Sequence, residues 1–182
     1  MKTIILDRDG VINVDSALYI KSPAEWKPIA GSLEAIARLN QAGYRVVVAT
    51  NQSGIGRGLF DMDTLNAMHE KMHKALAALG GRVDAIFYCP HTSEDQCDCR
   101  KPKPGMYTRI AQVYNMDLAG VPTIGDSLRD LQAGSAAGCI PILVRTGKGT
   151  KTEAEGNLPA NTTIYNDLAQ AVEALLAQDA EK

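Results

Sequence analysis

The sequence predicts an α/β fold: a single Rossmann-like domain over residues 1–182, with a parallel sheet of about five strands between helices. Three observations carry this expectation. Short β-branched runs alternate with stretches of helical periodicity along the whole chain. The runs are almost continuously apolar, as in strands covered on both faces. Glycines and prolines punctuate the junctions. Such alternation requires right-handed crossovers and puts a ligand outside the carboxyl ends of the strands.

Thr3 to Leu6 reads as the first strand. Ser32 is expected to cap a helix that runs to Gln41 or Ala42 and stops at Gly43, where a left-handed residue ends helices readily. Arg45 to Thr50 is the second strand. Asp63 is expected to cap the next helix, whose stripe of Leu65, Met68, Met72, Leu76 and Leu79 is closed by Gly80 and Gly81. Asp84 to Cys89 is the third strand, and Pro104 and Gly105 lead into the third helix. Val121 to Gly125, a helix over Leu128 to Ala137, and Cys139 to Arg145 complete five strands. Thr146 to Asn161, rich in Gly, Thr, Lys and Glu, reads as a surface loop, and Asp167 begins a terminal helix. The segments after the first and third strands are too short for a separate cap domain, so loops alone must shape the pocket.

Composition narrows the classes of function. Nineteen Lys and Arg against 21 Asp and Glu leave a formal net charge of -2, with no global basic field to recruit nucleic acid or anionic membrane. Two Phe and one Trp offer little for stacking on bases. Asp7, Arg8 and Asp9 interrupt the N-terminal apolar run too early for a signal peptide, and no run reaches the length of a membrane span. A cytoplasmic monomer that binds a small anionic molecule through local charges is the expectation.

Those local charges gather at strand ends. Asp7 and Asp9 follow the first strand, Thr50 closes the second, and Asp126 follows the fourth. Taken singly, such aspartates are ordinary turn formers. Together they bring hard anionic oxygens to one sheet edge, the donor set suited to Mg²⁺ with a phosphate completing its shell. Gly10 permits a sharp backbone turn, Thr50 offers a neutral donor, and Arg100 and Lys101 offer cations for phosphoryl oxygens.

Cysteine usage points to a second metal. Cys89, His91, Cys97 and Cys99 supply three thiolates and one imidazole, the composition of a closed structural Zn²⁺ site. With four protein ligands there is no open position for catalysis, so this metal should brace the 89–99 loop and hold Arg100 and Lys101 in place. Cys139, in an apolar run, reads as a core thiol.

The run Asp-Arg-Asp-Gly-Val-Ile-Asn at 7–13, Thr50 after an apolar strand, Lys101, and Gly-Asp at 125–126 resemble the four motifs of the haloacid dehalogenase superfamily of phosphatases. The resemblance implies a haloacid dehalogenase-type fold and an aspartyl-phosphate mechanism. Asp7 would be the nucleophile, and Asp9 the acid that protonates the leaving alcohol and then the base that activates water. Thr50 and Lys101 would position the phosphoryl group. Asp7 and Asp126 would bind Mg²⁺ through their side chains and Asp9 through its backbone carbonyl.

Within the superfamily, Cys-Pro-His followed by Cys-Asp-Cys-Arg-Lys-Pro resembles two groups with a zinc loop, the heptose-bisphosphate and the histidinol-phosphate phosphatases. The five-residue spacer is closer to the histidinol type. The runs at 12–15, 50–58, 100–106 and 144–147 are similar to the heptose type. The favoured implication is removal of the C7 phosphate of D-glycero-D-manno-heptose 1,7-bisphosphate, in the synthesis of nucleotide-activated heptose for bacterial surface polysaccharide. Hydrolysis of histidinol phosphate is the alternative. By position, Asp15, Tyr19, Asn51, Gln52, Ser53 and Arg100 would contact the sugar phosphate. Ser127 stands where this family can carry a lysine, which withdraws a cation from that position. Arg57, on the residues alone, is a candidate for the second phosphate.

Overall fold

A computed structural model describes residues 1–181. Six parallel strands form one sheet: β1 (Lys2–Leu6), β2 (Tyr44–Asn51), β3 (Ala85–Cys89), β4 (Pro122–Gly125), β5 (Ile140–Val144) and β6 (Thr163–Tyr165). Their order across the sheet is β3-β2-β1-β4-β5-β6. The connections are α1 (Ser32–Gln41), α2 (Ser53–Gly56), α3 (Met62–Ala77), α4 (Gly105–Tyr114), α5 (Leu128–Ala136), α6 (Gly149–Glu155) and α7 (Leu168–Ala180), with a 3-10 turn at Ser93–Asp95.

Side-chain alternation along the strands divides the core into two layers. Ile4, Leu6, Val46, Val48, Ile124, Ile142 and Val144 pack with α1, α3 and α7 on one face. Ile5, Val47 and Ala49 pack with Met106, Tyr107 and Ile110 of α4 and Ala133 of α5 on the other. Both faces are thus covered, the burial that the near-continuous apolar runs require.

The chain builds outward from β1 to β3 and then returns across β1 to start β4, so the order reverses between β1 and β4. Ile5 pairs with Thr123 and Leu6 with Ile124, and the Asp7 amide extends that ladder by donating to the Ile124 carbonyl at 2.9 Å. Adjacent strands therefore deliver Asp7 and Asp126 side by side at the reversal point, where crevices form in such sheets.

Four boundary expectations are corrected. Ser32 does not cap α1; Gly31 occupies that position, and the Ser32 hydroxyl instead donates to the Val11 carbonyl at 2.8 Å. The cap of α3 is Asp61, whose carboxylate accepts from the Thr64 amide at 2.9 Å, and Asp63 lies in the first turn. The stretch expected as a surface loop over 146–161 contains α6. A sixth strand, only three residues long, follows it; the Arg145 amide donates to the Tyr165 carbonyl at its end.

Residues 7–31 contain no helix and only isolated bridges, at Asp9, Asn13 and Pro28. The segment is held by burial of Ile12, Ile20 and Trp26 in the first core layer and by hydrogen bonds such as Val14 to Lys27. It therefore packs down as a wall beside the sheet edge.

Candidate active site

The carboxyl ends of β1, β2 and β4 and the loops after β3 and β5 converge on a cleft of about 270 Å³. Asp7, Asp9, Asp126 and Asp130 form its floor together with Lys101, and Asp15, Tyr19, Arg100, Arg129 and Lys148 stand around its wall.

Asp126 is wedged between two glycines. A side chain on Gly10 (φ +85°) or on Gly147 (φ +57°) would run into the Asp126 carboxylate, and both residues hold left-handed backbone angles that glycine adopts freely. The Lys148 amide donates to Asp126 Oδ2 at 2.9 Å, and the Thr152 hydroxyl donates to its carbonyl at 2.8 Å. The stretch expected as a surface loop thus closes over the site. Thr146 ties it down by donating to the Gly10 carbonyl at 2.6 Å.

Carboxylate oxygens of Asp7, Asp126 and Asp130 lie within 4.8 Å of one another. Burial and the neighbouring charge of Asp130 push Asp126 up to about 9, with Asp7 adding to the effect. The same two causes raise Asp7 to about 7, against the pull of Lys101. Crowded carboxylates that hold protons this firmly suit a divalent cation, because one ion relieves both the burial and the repulsion.

Lys101 is fully buried and spends its ammonium on Asp130 Oδ1 at 2.7 Å, the Ala49 carbonyl at 2.8 Å and Asp7 Oδ1 at 3.2 Å. Burial alone would lower its proton affinity, but Asp130 and Asp7 overcome that and keep it charged. Asp130 is held down at about 2, since Lys101 outweighs the cost of its burial. It also accepts from the Ser127 amide and hydroxyl at 3.1 and 2.8 Å, which fastens the first turn of α5 beneath Asp126.

Asp9, also on the floor, has a different set of partners. Arg8 Nε and Nη2 donate to its Oδ1 at 3.0 and 2.8 Å, Asn13 Nδ2 donates to the same oxygen at 2.9 Å, and Gln52 Nε2 donates to Oδ2 at 3.1 Å. Burial would raise this carboxylate, yet the charge of Arg8 and the three sets of hydrogen bonds hold it below the usual range.

Thr50 is buried at the end of β2, where its hydroxyl accepts from Gln52 Nε2 at 2.9 Å. Asn51 uses both ends of its amide on the Lys101 backbone, at 3.0 and 3.1 Å, and so fixes that residue. Gln52 and Ser53 line the cleft, as do Asp15 and Tyr19; Lys148 Nζ lies 3.7 Å from Asp15. Arg57 is not among the lining residues; it lies exposed, with its guanidinium 5.8 Å from the centre of the Tyr19 ring.

Beside the cleft, Cys89, His91, Cys97 and Cys99 bring their ligand atoms within 4.8 Å of one another. Cys89 Sγ lies 3.6 Å from Cys97 Sγ, 3.5 Å from His91 Nδ1 and 2.9 Å from Cys99 Sγ. His91 Nδ1 lies 3.3 Å from Cys99 Sγ. Tetrahedral zinc with ordinary bond lengths has ligand-to-ligand edges of roughly 3.5–3.8 Å, so three ligands stand near the required spacing and Cys99 must move out, by roughly 0.8 Å from Cys89 and less from His91, to admit that ion. All four cysteines of the chain are unbridged. The loop reaches the cleft through Arg100, whose Nη1 donates to the His91 carbonyl at 3.3 Å.

Five participants were not singled out from the sequence as site residues: Arg8, Asn13, Asp130, Arg129 and Lys148. Asp130 carried a readable signal, an acid three residues after Ser127 at a helix start. Arg8 and Asn13 lie inside the run at 7–13, but nothing in residue type or spacing marks them as partners of Asp9. Arg129 had no signal, because only the turn of α5 aims it at the cleft.

Comparison with known proteins agrees with this geometry. A family profile described as HAD-hydrolase-like matches residues 98–171. The chain is 63% identical to a D-glycero-beta-D-manno-heptose-1,7-bisphosphate 7-phosphatase of Bordetella bronchiseptica, over 98% of this chain and 99% of that protein. It is 55% identical to the enzyme of the same name from Pseudomonas aeruginosa, over 95% and 97% of the two chains. Among solved structures, the B. bronchiseptica D,D-heptose 1,7-bisphosphate phosphatase complexed with magnesium and phosphate superposes with a TM-score of 0.97, covering 98% of this chain and 99% of that one.

Proposed function

The chain belongs to the family of D-glycero-beta-D-manno-heptose-1,7-bisphosphate 7-phosphatases, within the HAD-like hydrolases, and on that premise we propose how its cleft removes the C7 phosphate of the heptose bisphosphate. The observation that carries the proposal is the opposed pair of aspartates. Asp7 faces Lys101 and the Asp126 carboxylate, while Asp9, two residues on, is held apart by Arg8, Asn13 and Gln52. Two carboxylates in such different surroundings suit two different roles.

Asp7 attacks the phosphorus of the 7-phosphoryl group; an Asp7–phosphorus bond forms and the bond to the C7 oxygen breaks. Asp9 gives its proton to that departing oxygen. The dianion entering the cleft prepares this step, because negative charge beside Asp9 raises its proton affinity. Asp9, now a carboxylate, takes a proton from water as the water attacks the aspartyl-phosphate, releasing phosphate and restoring Asp7. Lys101 stays protonated beside Asp7 and offers its charge to the phosphoryl oxygens, and the buried Thr50–Gln52 pair keeps the adjoining wall rigid. Magnesium, held by Asp7, Asp126 and the Asp9 carbonyl, would screen the repulsion between the attacking carboxylate and the phosphate. Zinc, held by Cys89, His91, Cys97 and Cys99, would brace the 89–99 loop.

The second phosphate needs cations at a distance from Asp7. Arg100 and Arg129 both line the cleft, and their mutual repulsion contributes to lowering the Arg100 proton affinity, after burial. A bound phosphate would satisfy both. Arg129 thereby replaces the cation that Ser127 withdraws. Arg57, outside the cleft, is the weaker partner. Asp15, Tyr19, Asn51, Gln52 and Ser53 remain as contacts along the sugar, with Asn51 contributing mainly through the Lys101 backbone it holds.

Among the described residues no helix is long and apolar enough to cross a membrane. We place the chain in the cytoplasm as a monomeric, single-domain enzyme whose partner is a small sugar bisphosphate, with neither nucleic acid nor membrane involved. Histidinol-phosphate hydrolysis is not supported, since the relatives described above share the heptose activity along nearly the whole chain. Phosphate release from the 1,7-bisphosphate, the 7-phosphate and histidinol phosphate tests the assignment. The bisphosphate is expected to have a kcat/KM at least about tenfold above the other two, the equivalent of one charged hydrogen bond. Equal turnover of histidinol phosphate would overturn the substrate.

A further inference from the structure

His69 interrupts an apolar surface. It lies on α3 four residues after Leu65 and three before Met72, on the stripe that faces the core, and is 7% exposed. An apolar side chain there would complete the layer, and a buried imidazole is costly unless its nitrogens are engaged. The contact that engages it leads to the active site. Its Nε2 lies 3.0 Å from Nη1 of Arg8, which is completely buried. Other donors of that guanidinium grip Asp9 through Nε and Nη2, and Nη2 also reaches the side-chain amide oxygen Oε1 of Gln52 at 3.4 Å.

We propose that His69 is a positioning residue for phosphoryl transfer: its Nε2 accepts a hydrogen bond from Arg8 and so fixes the guanidinium that orients the Asp9 carboxylate. Arg8 can only donate, so this contact requires a ring nitrogen with a free lone pair. The surroundings keep it free. Burial, followed by repulsion from Arg8 and His73, pushes His69 down to about 3 against the opposing charge of Asp9, and the ring stays neutral. The proton of the neutral ring then sits on Nδ1. Without the acceptor, the guanidinium has no anchor on its core side and is free to rotate about its stem, and the fork on Asp9 turns with it.

The inference rests on Asp9 acting as the acid, as proposed above, and the test separates the two. His69→Leu fits the apolar stripe but cannot accept a hydrogen bond, whereas His69→Gln keeps an accepting oxygen. Each full-length variant, loaded with magnesium and zinc, is compared with the parent on the heptose bisphosphate and on p-nitrophenyl phosphate, together with its melting temperature. The sugar alkoxide must be protonated as it leaves, whereas the nitrophenolate leaves without a proton. kcat/KM reports that first transfer alone.

His69→Leu is expected to lose at least about tenfold in kcat/KM on the bisphosphate and less than about threefold on the aryl ester, a fraction of what general acid catalysis supplies. His69→Gln should recover most of the loss. Equal losses on both esters, no loss on the bisphosphate, or a His69→Gln variant as impaired as His69→Leu would each overturn the inference. A parent enzyme inactive on the bisphosphate would instead overturn the substrate assignment, and the same comparison on another alkyl phosphate would still decide the role of His69.

Discussion

Asp7, Asp126 and Asp130 crowd three carboxylates around one buried ammonium, and Lys101 answers only two of them. The burial and mutual repulsion that raise Asp7 to about 7 and Asp126 to about 9 are what a divalent cation relieves, and in the metal-free protein they act against the fold. Asp7→Asn takes one titrating carboxyl out of that cluster. Its melting temperature without metal should therefore equal or exceed the parent's, while phosphate release falls by about four orders of magnitude or more, since an amide is a poor nucleophile. A calorimetric scan and a phosphate assay check the two halves; turnover near the parent rate would exclude an aspartyl-phosphate at this position. Arg129→Ala should act differently. It is expected to lower kcat/KM for the bisphosphate by roughly 10–150-fold, the worth of one charged hydrogen bond, with a smaller loss on the heptose 7-phosphate. Asp7, Asp9 and Asp126 could be read from sequence because strand ends announce them. Arg129 and the inward grip of Arg8 on Asp9 could not, since both depend on which way a turn rotates a side chain.

At the scale of elements, the 89–99 loop and the α6 segment do comparable work from opposite sides of the cleft. The first presents Arg100 and Lys101, with Arg100 anchored on the His91 carbonyl and the Lys103 ammonium donating to the Cys97 carbonyl at 2.8 Å. The second brings Gly147 and the Lys148 amide against Asp126. Only the first was legible, because three thiols and an imidazole at close spacing signal a metal site. The second reads as a polar loop: its helix is seven residues long without an apolar stripe, and the strand after it has three residues. Both elements form because of where they dock. Elemental analysis should find about one zinc per chain, separate from the catalytic magnesium, as a four-ligand site demands. Cys97→Ser should lose the zinc, lower the melting temperature and raise KM for the bisphosphate more than it lowers kcat, because Arg100 loses its support before the carboxylate floor is disturbed. Full metal content and unchanged KM in that variant would refute the bracing role.

Over the whole molecule, a net charge of -2 conceals a strongly asymmetric distribution around the site. Arg100, Arg129 and Lys148 stand on the wall of the cleft above a floor of aspartates that the metal would neutralise. The alternation of strands and helices made the parallel sheet predictable, and the reversal of strand order between β1 and β4 then fixed where the ligand had to lie. The asymmetry of charge was not predictable from composition, because cations from residues 100, 129 and 148 meet only through the crossovers. Its consequence is kinetic. A bisphosphate approaching the wall feels an attraction that bulk salt screens over about 8–10 Å, whereas the chemistry on the buried floor is screened far less. Raising salt from about 20 to about 300 mM should therefore lower kcat/KM for the bisphosphate several-fold and leave kcat nearly constant, with a shallower dependence for the 7-phosphate, which presents one anion fewer. Steady-state kinetics at matched magnesium measure both slopes. Identical slopes would mean that the second phosphate never meets the wall cations, and the asymmetric surface would then have no part in substrate capture.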